Sequence, residues 1–100
     1  LLFSTARQIH LQRLLGLPTP SYLHLPVAVN AAGEKLSKQT FASPVDDLQP
    51  QRAACAALTF LGQSVPPDAE YLPLAELWAY AIAHWDLLRL PRAQTQPAPF

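Results

Sequence analysis

The stretch HLPVAVNAAGEKLSKQT, His24 to Thr40, runs from an alternating apolar pattern into a charged loop. The apolar residues recur at every second position and are Leu23, Leu25, Val27 and Val29. This period predicts a strand over residues 22–29. Pro26 falls on the other face and removes a backbone donor, so we expect it at a sheet edge or at an irregular point.

The segment GEKLSKQT, Gly33 to Thr40, forms a lysine loop that follows the turn-forming residues 30–33. It holds Lys35 and Lys38, two of only seven lysines and arginines in the chain. Lysine is a compact, mobile point charge that suits phosphate oxygens. A solvated turn can carry the same residues, and the pattern KLSK taken alone favours that simpler interpretation.

A helix is predicted before this stretch, over residues 5–15. Thr5 and Gln8 form a capping-box pattern, and Gly16 is placed to end the helix. The leucines at helical spacing are Leu11, Leu14 and Leu15. These signals together predict both ends of the helix.

A second helix is predicted after the lysine loop. The acidic residues Asp46 and Asp47 and then Pro50 suit its start, because acids favour the positive end of a helix and proline tolerates the first turn. Gly62 is placed to stop it. Its expected apolar face is Ala54, Ala57, Leu58 and Leu61.

A third helix, Pro73 to Leu88, shows the strongest periodicity in the chain. Its apolar stripe is Leu74, Leu77, Trp78, Ala81, Trp85 and Leu88. Packing in a core explains tryptophans seven residues apart on such a stripe better than base stacking does. The tail beyond residue 90 has three prolines in ten residues and little to bury, so we expect it to be disordered.

Composition bounds the possible functions. One hundred residues, half of them hydrophobic, suffice for one domain or part of one. The zero net charge argues against a nucleic-acid grip through a broad basic surface. The sequence shows neither a membrane span nor a signal peptide, which predicts a cytoplasmic protein. The chain starts with Leu1 and contains no Met, so we expect a piece of a longer protein.

The remaining chemistry-bearing residues form no recognisable site. Cys55 is the only cysteine, so no internal disulfide can form, and a small buried hydrophobe is its simplest interpretation. The three histidines lack an i, i+4 partner, and we assign them no chemistry; they are His10, His24 and His84. No metal ligands are predicted in the chain.

Three features in order resemble the end of the catalytic domain of class I glutamyl-type aminoacyl-tRNA synthetases. They are the run LLFSTARQIHLQRLLG, the strand HLPVAVN and the segment GEKLSKQ, in which KLSKQ resembles the KMSKS motif of that class. Gln39 at the last motif position resembles the glutamyl-Q tRNA(Asp) synthetases, which are shortened paralogues. The helical remainder is similar to the segment that these paralogues carry after the motif.

The resemblance implies a mainly helical α/β fragment. Residues 1–44 would end a Rossmann-type nucleotide-binding catalytic domain, residues 45–90 would form a small helical subdomain, and residues 91–100 would be the tail. It assigns the motif residues to ATP, which is bound with magnesium. Lys38 would stabilise the leaving pyrophosphate, Lys35 would add to the field or support the loop, and Ser37 would hydrogen-bond within the loop, while Leu36 would anchor it.

The resemblance further implies that glutamate is activated as glutamyl-adenylate and passed to queuosine in the anticodon stem-loop of tRNA(Asp). A monomer is expected. The glutamate-binding residues and the zinc ligands of the family would lie upstream of Leu1, so we expect this segment alone to be inactive. Two alternatives stay open, a truncated glutamyl- or glutaminyl-tRNA synthetase and a non-enzymatic helical module that docks a partner on its Trp78 and Trp85 stripe.

Overall fold

The computed structural model describes residues 2–37, 42–44 and 48–99. Three helices and two short strands make up its regular structure: α1 (Leu2–Leu14), β1 (Val27–Val29), α2 (Pro50–Phe60), α3 (Leu74–Ala83) and β2 (Thr95–Pro97). Two 3-10 turns, Ala69–Tyr71 and Leu87–Arg89, follow α2 and α3. The chain is therefore mainly helical with a two-stranded parallel sheet, which agrees with the expected α/β class.

Helix α1 ends where the sequence predicted and begins earlier. Gly16 has a φ of 71°. Its N–H donates to the Arg13 carbonyl at 3.1 Å and the Leu17 N–H donates to the Gln12 carbonyl at 2.9 Å. These two bonds form a Schellman motif, which satisfies carbonyls at the end of the helix. The predicted capping box is wrong, because the helix already includes Thr5 in its interior.

Helix α2 has Pro50 in its first turn, as expected. Ala54 and Leu58 are buried, whereas Ala57 is exposed, so the predicted apolar face is wrong at that residue. The helix ends at the same kind of motif as α1, with Gly62 at a φ of 70°. Asp46 and Asp47, the predicted acids before the helix, lie outside the described residues.

Helix α3 is shorter than predicted. It ends at Ala83, and Leu88 belongs to a separate 3-10 turn, whose start is capped by the Asp86 carboxylate accepting from the Leu88 N–H at 2.9 Å. Trp78 is 47% exposed and Trp85 is 41% exposed. The expectation that these two tryptophans pack in the core is therefore wrong for this chain.

Strand β1 is also shorter than predicted, since Leu23 and Leu25 are exposed and only Val27–Val29 is paired. Its partner is the tail, in the parallel register Val27↔Thr95 to Val29↔Pro97. The expectation of a disordered tail is wrong for residues 95–97. Pro26, which we expect at a sheet edge or at an irregular point, lies just before the strand and is buried.

The core is small and lies between α2, the first 3-10 turn and α3. Its buried residues are Ala54, Leu58, Ala69, Leu77 and Ala81. Cys55 is half-buried and packs against this cluster, in partial agreement with its interpretation as a buried hydrophobe. The radius of gyration is 16.5 Å, larger than the ~13 Å typical of a compact 100-residue domain. Within the described residues, every helix is too short or too polar to cross a bilayer.

Candidate functional site

The turn after β1 is built by one asparagine side chain. The Asn30 Oδ1 accepts hydrogen bonds from the backbone N–H of Ala32 at 3.0 Å and of Glu34 at 2.9 Å. The Asn30 N–H donates to the Glu34 carbonyl at 2.8 Å. Gly33 supplies a φ of 78°, which residues with a Cβ rarely adopt. The chain therefore reverses within five residues.

The first half of the lysine loop returns alongside β1. Lys35 forms an isolated antiparallel bridge with Val29. The Leu36 N–H donates to the Ala28 carbonyl at 3.0 Å. These two contacts fix the backbone of Lys35 and Leu36 against β1. The side chain of Lys35 therefore extends from a backbone position that the strand defines.

The predicted site residues divide into described and undescribed ones. Lys35 is exposed, and Leu36 and Ser37 are half-buried. Leu36 is bonded to β1 through its backbone N–H, and its role as an anchor stays a prediction. The Ser37 carbonyl accepts from the Ala42 N–H at 3.1 Å. Lys38 and Gln39 lie outside the described residues, so their assignments stay predictions.

An open groove of about 440 Å³ lies beside this return. Residues 23–28, Lys35 and Leu36 line it. Its volume falls within the usual range of small-molecule sites, roughly 300–1,000 Å³. The groove thus combines mostly apolar walls with an ammonium-bearing residue, an arrangement that suits a ligand with an apolar part and an anionic part.

The sequence signals missed the groups that hold this region in place. Turn chemistry indicated residues 30–33 without identifying the Asn30 side chain as the organiser, although asparagine commonly hydrogen-bonds its own backbone two residues on. Gln63 and Gln96 were not singled out. Gln63 is buried and binds both backbone groups of Asp86, while the Gln96 amide donates to the Phe60 carbonyl at 2.8 Å. Neither glutamine has a local pattern that would mark it.

No described group of three or more His, Cys, Asp and Glu side chains could hold a metal ion. His84, to which no chemistry was assigned, stacks on Tyr80 with ring centroids 3.9 Å apart, and its Nδ1 lies 3.0 Å from the Tyr80 carbonyl oxygen. The described residues therefore offer no such group of ligands for zinc.

The chain matches curated relatives over almost its whole length. It is 61% identical over 99% of its residues to the glutamyl-Q tRNA(Asp) synthetase of Aromatoleum aromaticum. It is 52% identical over 94% of its residues to that of Burkholderia mallei, and 48% identical over 97% to that of a Synechococcus strain. In each case it spans 31% of the relative's length. No family model matches the chain.

These relatives belong to the class of aminoacyl-tRNA synthetase-like ligases, and the matches confirm the resemblance to glutamyl-Q tRNA(Asp) synthetases. Over 99% of its residues, the chain is similar to one part of a glutamyl-Q tRNA(Asp) synthetase. It spans about a third of the length of the curated relatives it matches.

Proposed function

We propose that the protein containing this chain activates glutamate with ATP and transfers it to queuosine in the anticodon of tRNA(Asp). One observation carries the proposal, namely the identity of up to 61% to glutamyl-Q tRNA(Asp) synthetases over 99% of the chain. The geometry around Lys35 supports it, because the motif follows a strand and borders a groove of ligand size.

In this proposal β1 is one of the last strands of a Rossmann-type nucleotide-binding domain, whose ligands bind at the carboxyl ends of its strands. The lysine loop follows the carboxyl end of β1 directly. ATP, which enters with Mg²⁺, would place its phosphates near this loop. Residues of the remaining two thirds of the protein would bind glutamate.

The first reaction joins the glutamate carboxylate to the α-phosphorus of ATP. The bond from that phosphorus to the pyrophosphate breaks, and negative charge grows on the leaving group. Lys38 stabilises this charge, and Lys35 adds to the local field while its backbone is held against Val29. A cation on a loop can close onto the phosphates after ATP has entered. The adenylate then delivers glutamate to the tRNA.

The experiment is Lys38→Ala in the full-length protein. Removing one charge-stabilising donor typically lowers turnover by ~100- to 1,000-fold, about 3 kcal/mol. We expect glutamate-dependent exchange of pyrophosphate into ATP to fall by this factor, with an unchanged melting temperature. Arg7→Ala, which removes an exposed cation from α1, is the matched control and should leave exchange intact. Normal exchange in Lys38→Ala would overturn the assigned role.

A further inference from the structure

Strand β1 lies in the middle of three backbone segments. On one edge, the Val27 N–H donates to the Gln94 carbonyl and the Ala98 N–H donates to the Val29 carbonyl, both at 2.9 Å. On the other edge, Leu36 donates to Ala28. Successive residues of a strand direct their backbone groups to opposite edges, so β2 and the return of the lysine loop use different groups of the same strand.

Proline does not prevent this pairing in the tail. Gln94 and Ala98 direct backbone groups to β1. Because successive residues of a strand alternate between its two edges, the backbone groups of Pro97 point away from β1. Its missing N–H therefore falls on the outer edge of the strand, where proline is tolerated.

The tail is also tied to the helical part of the chain. The Gln96 Nε2 donates to the carbonyl of Phe60, the last residue of α2, at 2.8 Å. Terminal carbonyls of a helix lack partners within the helix, so this amide satisfies a group that would otherwise need water. Gln96 thus joins the carboxyl end of α2 to the strand that flanks β1.

We propose that β2, anchored by Gln96, is a positioning element for Lys35 and Leu36. It holds β1 at a fixed place relative to α2, and β1 in turn sets the backbone from which Lys35 reaches the groove. Gln96 touches no substrate in this role. The inference rests on the proposed function, in which Lys35 acts on ATP, and it identifies the element that aligns the residue.

The test uses Gln96→Glu in the full-length protein. The variant keeps the shape of the side chain but replaces the donating amide with a carboxylate that repels the Phe60 carbonyl. Ala98→Pro is a second variant, which removes the N–H that binds the Val29 carbonyl. Thr95→Ala is the matched control, since Thr95 is the exposed neighbour of Gln96 in β2.

Hydrogen exchange gives the first readout. Loss of one hydrogen bond should speed exchange of the Leu36 amide by roughly tenfold in Gln96→Glu and in Ala98→Pro. The His84 backbone amide, bonded to the Tyr80 carbonyl at 3.0 Å, should keep its protection because it belongs to the end of α3 and not to the end of α2 that Gln96 contacts. Equal loss at both amides would indicate general destabilisation and would overturn the proposal, as would an unchanged Leu36 amide.

Kinetics gives the second readout. Misplacement of a catalytic group by about 1 Å can lower turnover by ~100-fold. We therefore expect the kcat of pyrophosphate exchange in Gln96→Glu and Ala98→Pro to fall by about 10- to 100-fold. The KM for glutamate should not move, because the glutamate site lies outside this chain in the proposed function. A faster-exchanging Leu36 amide with normal kcat would refute the positioning role. Absence of glutamate-dependent pyrophosphate exchange in the wild type would instead refute the proposed function. Hydrogen exchange of the Leu36 amide would still decide whether β2 positions the backbone of Lys35 and Leu36.

Discussion

Gly62 and Gly16 have nearly the same backbone angle, with φ values of 70° and 71°, but different surroundings. A Cβ at Gly16 would meet nothing within 4 Å, whereas a Cβ at Gly62 would press on the Arg89 carbonyl oxygen. The left-handed conformation alone costs an alanine about 1 kcal/mol. Backbone crowding of this kind adds roughly 1–3 kcal/mol.

We therefore predict that Gly62→Ala lowers the free energy of unfolding by ~2–4 kcal/mol and Gly16→Ala by only about 1 kcal/mol. Urea unfolding of the two variants measures both values. Equal losses would mean that the segment around Arg89 moves away without penalty, and that α2 and the 3-10 turn Leu87–Arg89 are not tightly joined there.

Cys55 leads to a prediction about how the stability of the fold depends on pH. Burial, and after it the charge of Glu70, raise the pKa of the Cys55 thiol. The folded state therefore holds this proton more tightly than the unfolded state does. The resulting stabilisation is fully present below the ordinary thiol pKa and is lost as pH rises through the raised one.

Iodoacetamide alkylation reports the same shift, because only the thiolate reacts. At pH 8 we expect Cys55 to react more slowly than an unstructured cysteine peptide. Glu70→Gln removes the repulsive charge and should speed the reaction, whereas Glu76→Gln on α3 should not. An equal rate in the wild type and Glu70→Gln would show that burial alone sets the pKa.

At the scale of elements, two adjacent residues of α3 differ sharply in burial. Leu77 is completely buried, while about half of Trp78 is exposed. We predict that Leu77→Ala lowers the free energy of unfolding of this chain by ~2–5 kcal/mol, as expected for a core leucine. Trp78→Ala should cost less, although it removes the larger side chain. A greater loss in Trp78→Ala would contradict the observed burial.

Local sequence signals predicted the features that depend on local chemistry. The glycines at residues 16, 33 and 62 all adopt positive φ angles, and Pro50 and Pro73 mark the starts of α2 and α3. The return of the lysine loop follows from the turn chemistry of residues 30–33. Among the described motif residues, Leu36 is half-buried, and its role as an anchor stays a prediction.

Long-range pairing decided what the sequence could not predict. Strand β2 exists because Gln94 and Ala98 bind β1, more than 60 residues earlier in the chain, and no local pattern in a proline-rich tail indicates it. The third helix ends at Ala83 because Asp86 caps a new turn and Gln63 binds the backbone of Asp86. Periodicity continued through this point, so it predicted a longer helix.

At the scale of the whole molecule, the charge balance bears on how a tRNA would be recognised. The chain has seven basic and seven acidic residues and no net charge. Neutralisation of many phosphates is what gives tight, sequence-independent binding to nucleic acid, and this chain supplies little of it. In the proposed function, this chain would therefore contribute to recognition through local contacts with a chemically distinctive group. The diol-bearing ring of queuosine offers hydroxyls that an unmodified guanine lacks.

We predict that the full-length protein transfers radiolabelled glutamate to tRNA(Asp) from cells that make queuosine, and not to the same tRNA from cells that cannot. A site built to hydrogen-bond hydroxyls rejects an analogue without them by ~10⁴-fold or more, because its own buried polar groups would lose their partners. Filter-bound radioactivity measures the transfer, and Lys38→Ala is the control for dependence on activation. Equal labelling of the two tRNAs would contradict recognition through queuosine. Labelling at the 3′ end of tRNA(Glu) would favour an ordinary glutamyl-tRNA synthetase, since the amino acid would then be attached to the terminal ribose rather than to the anticodon.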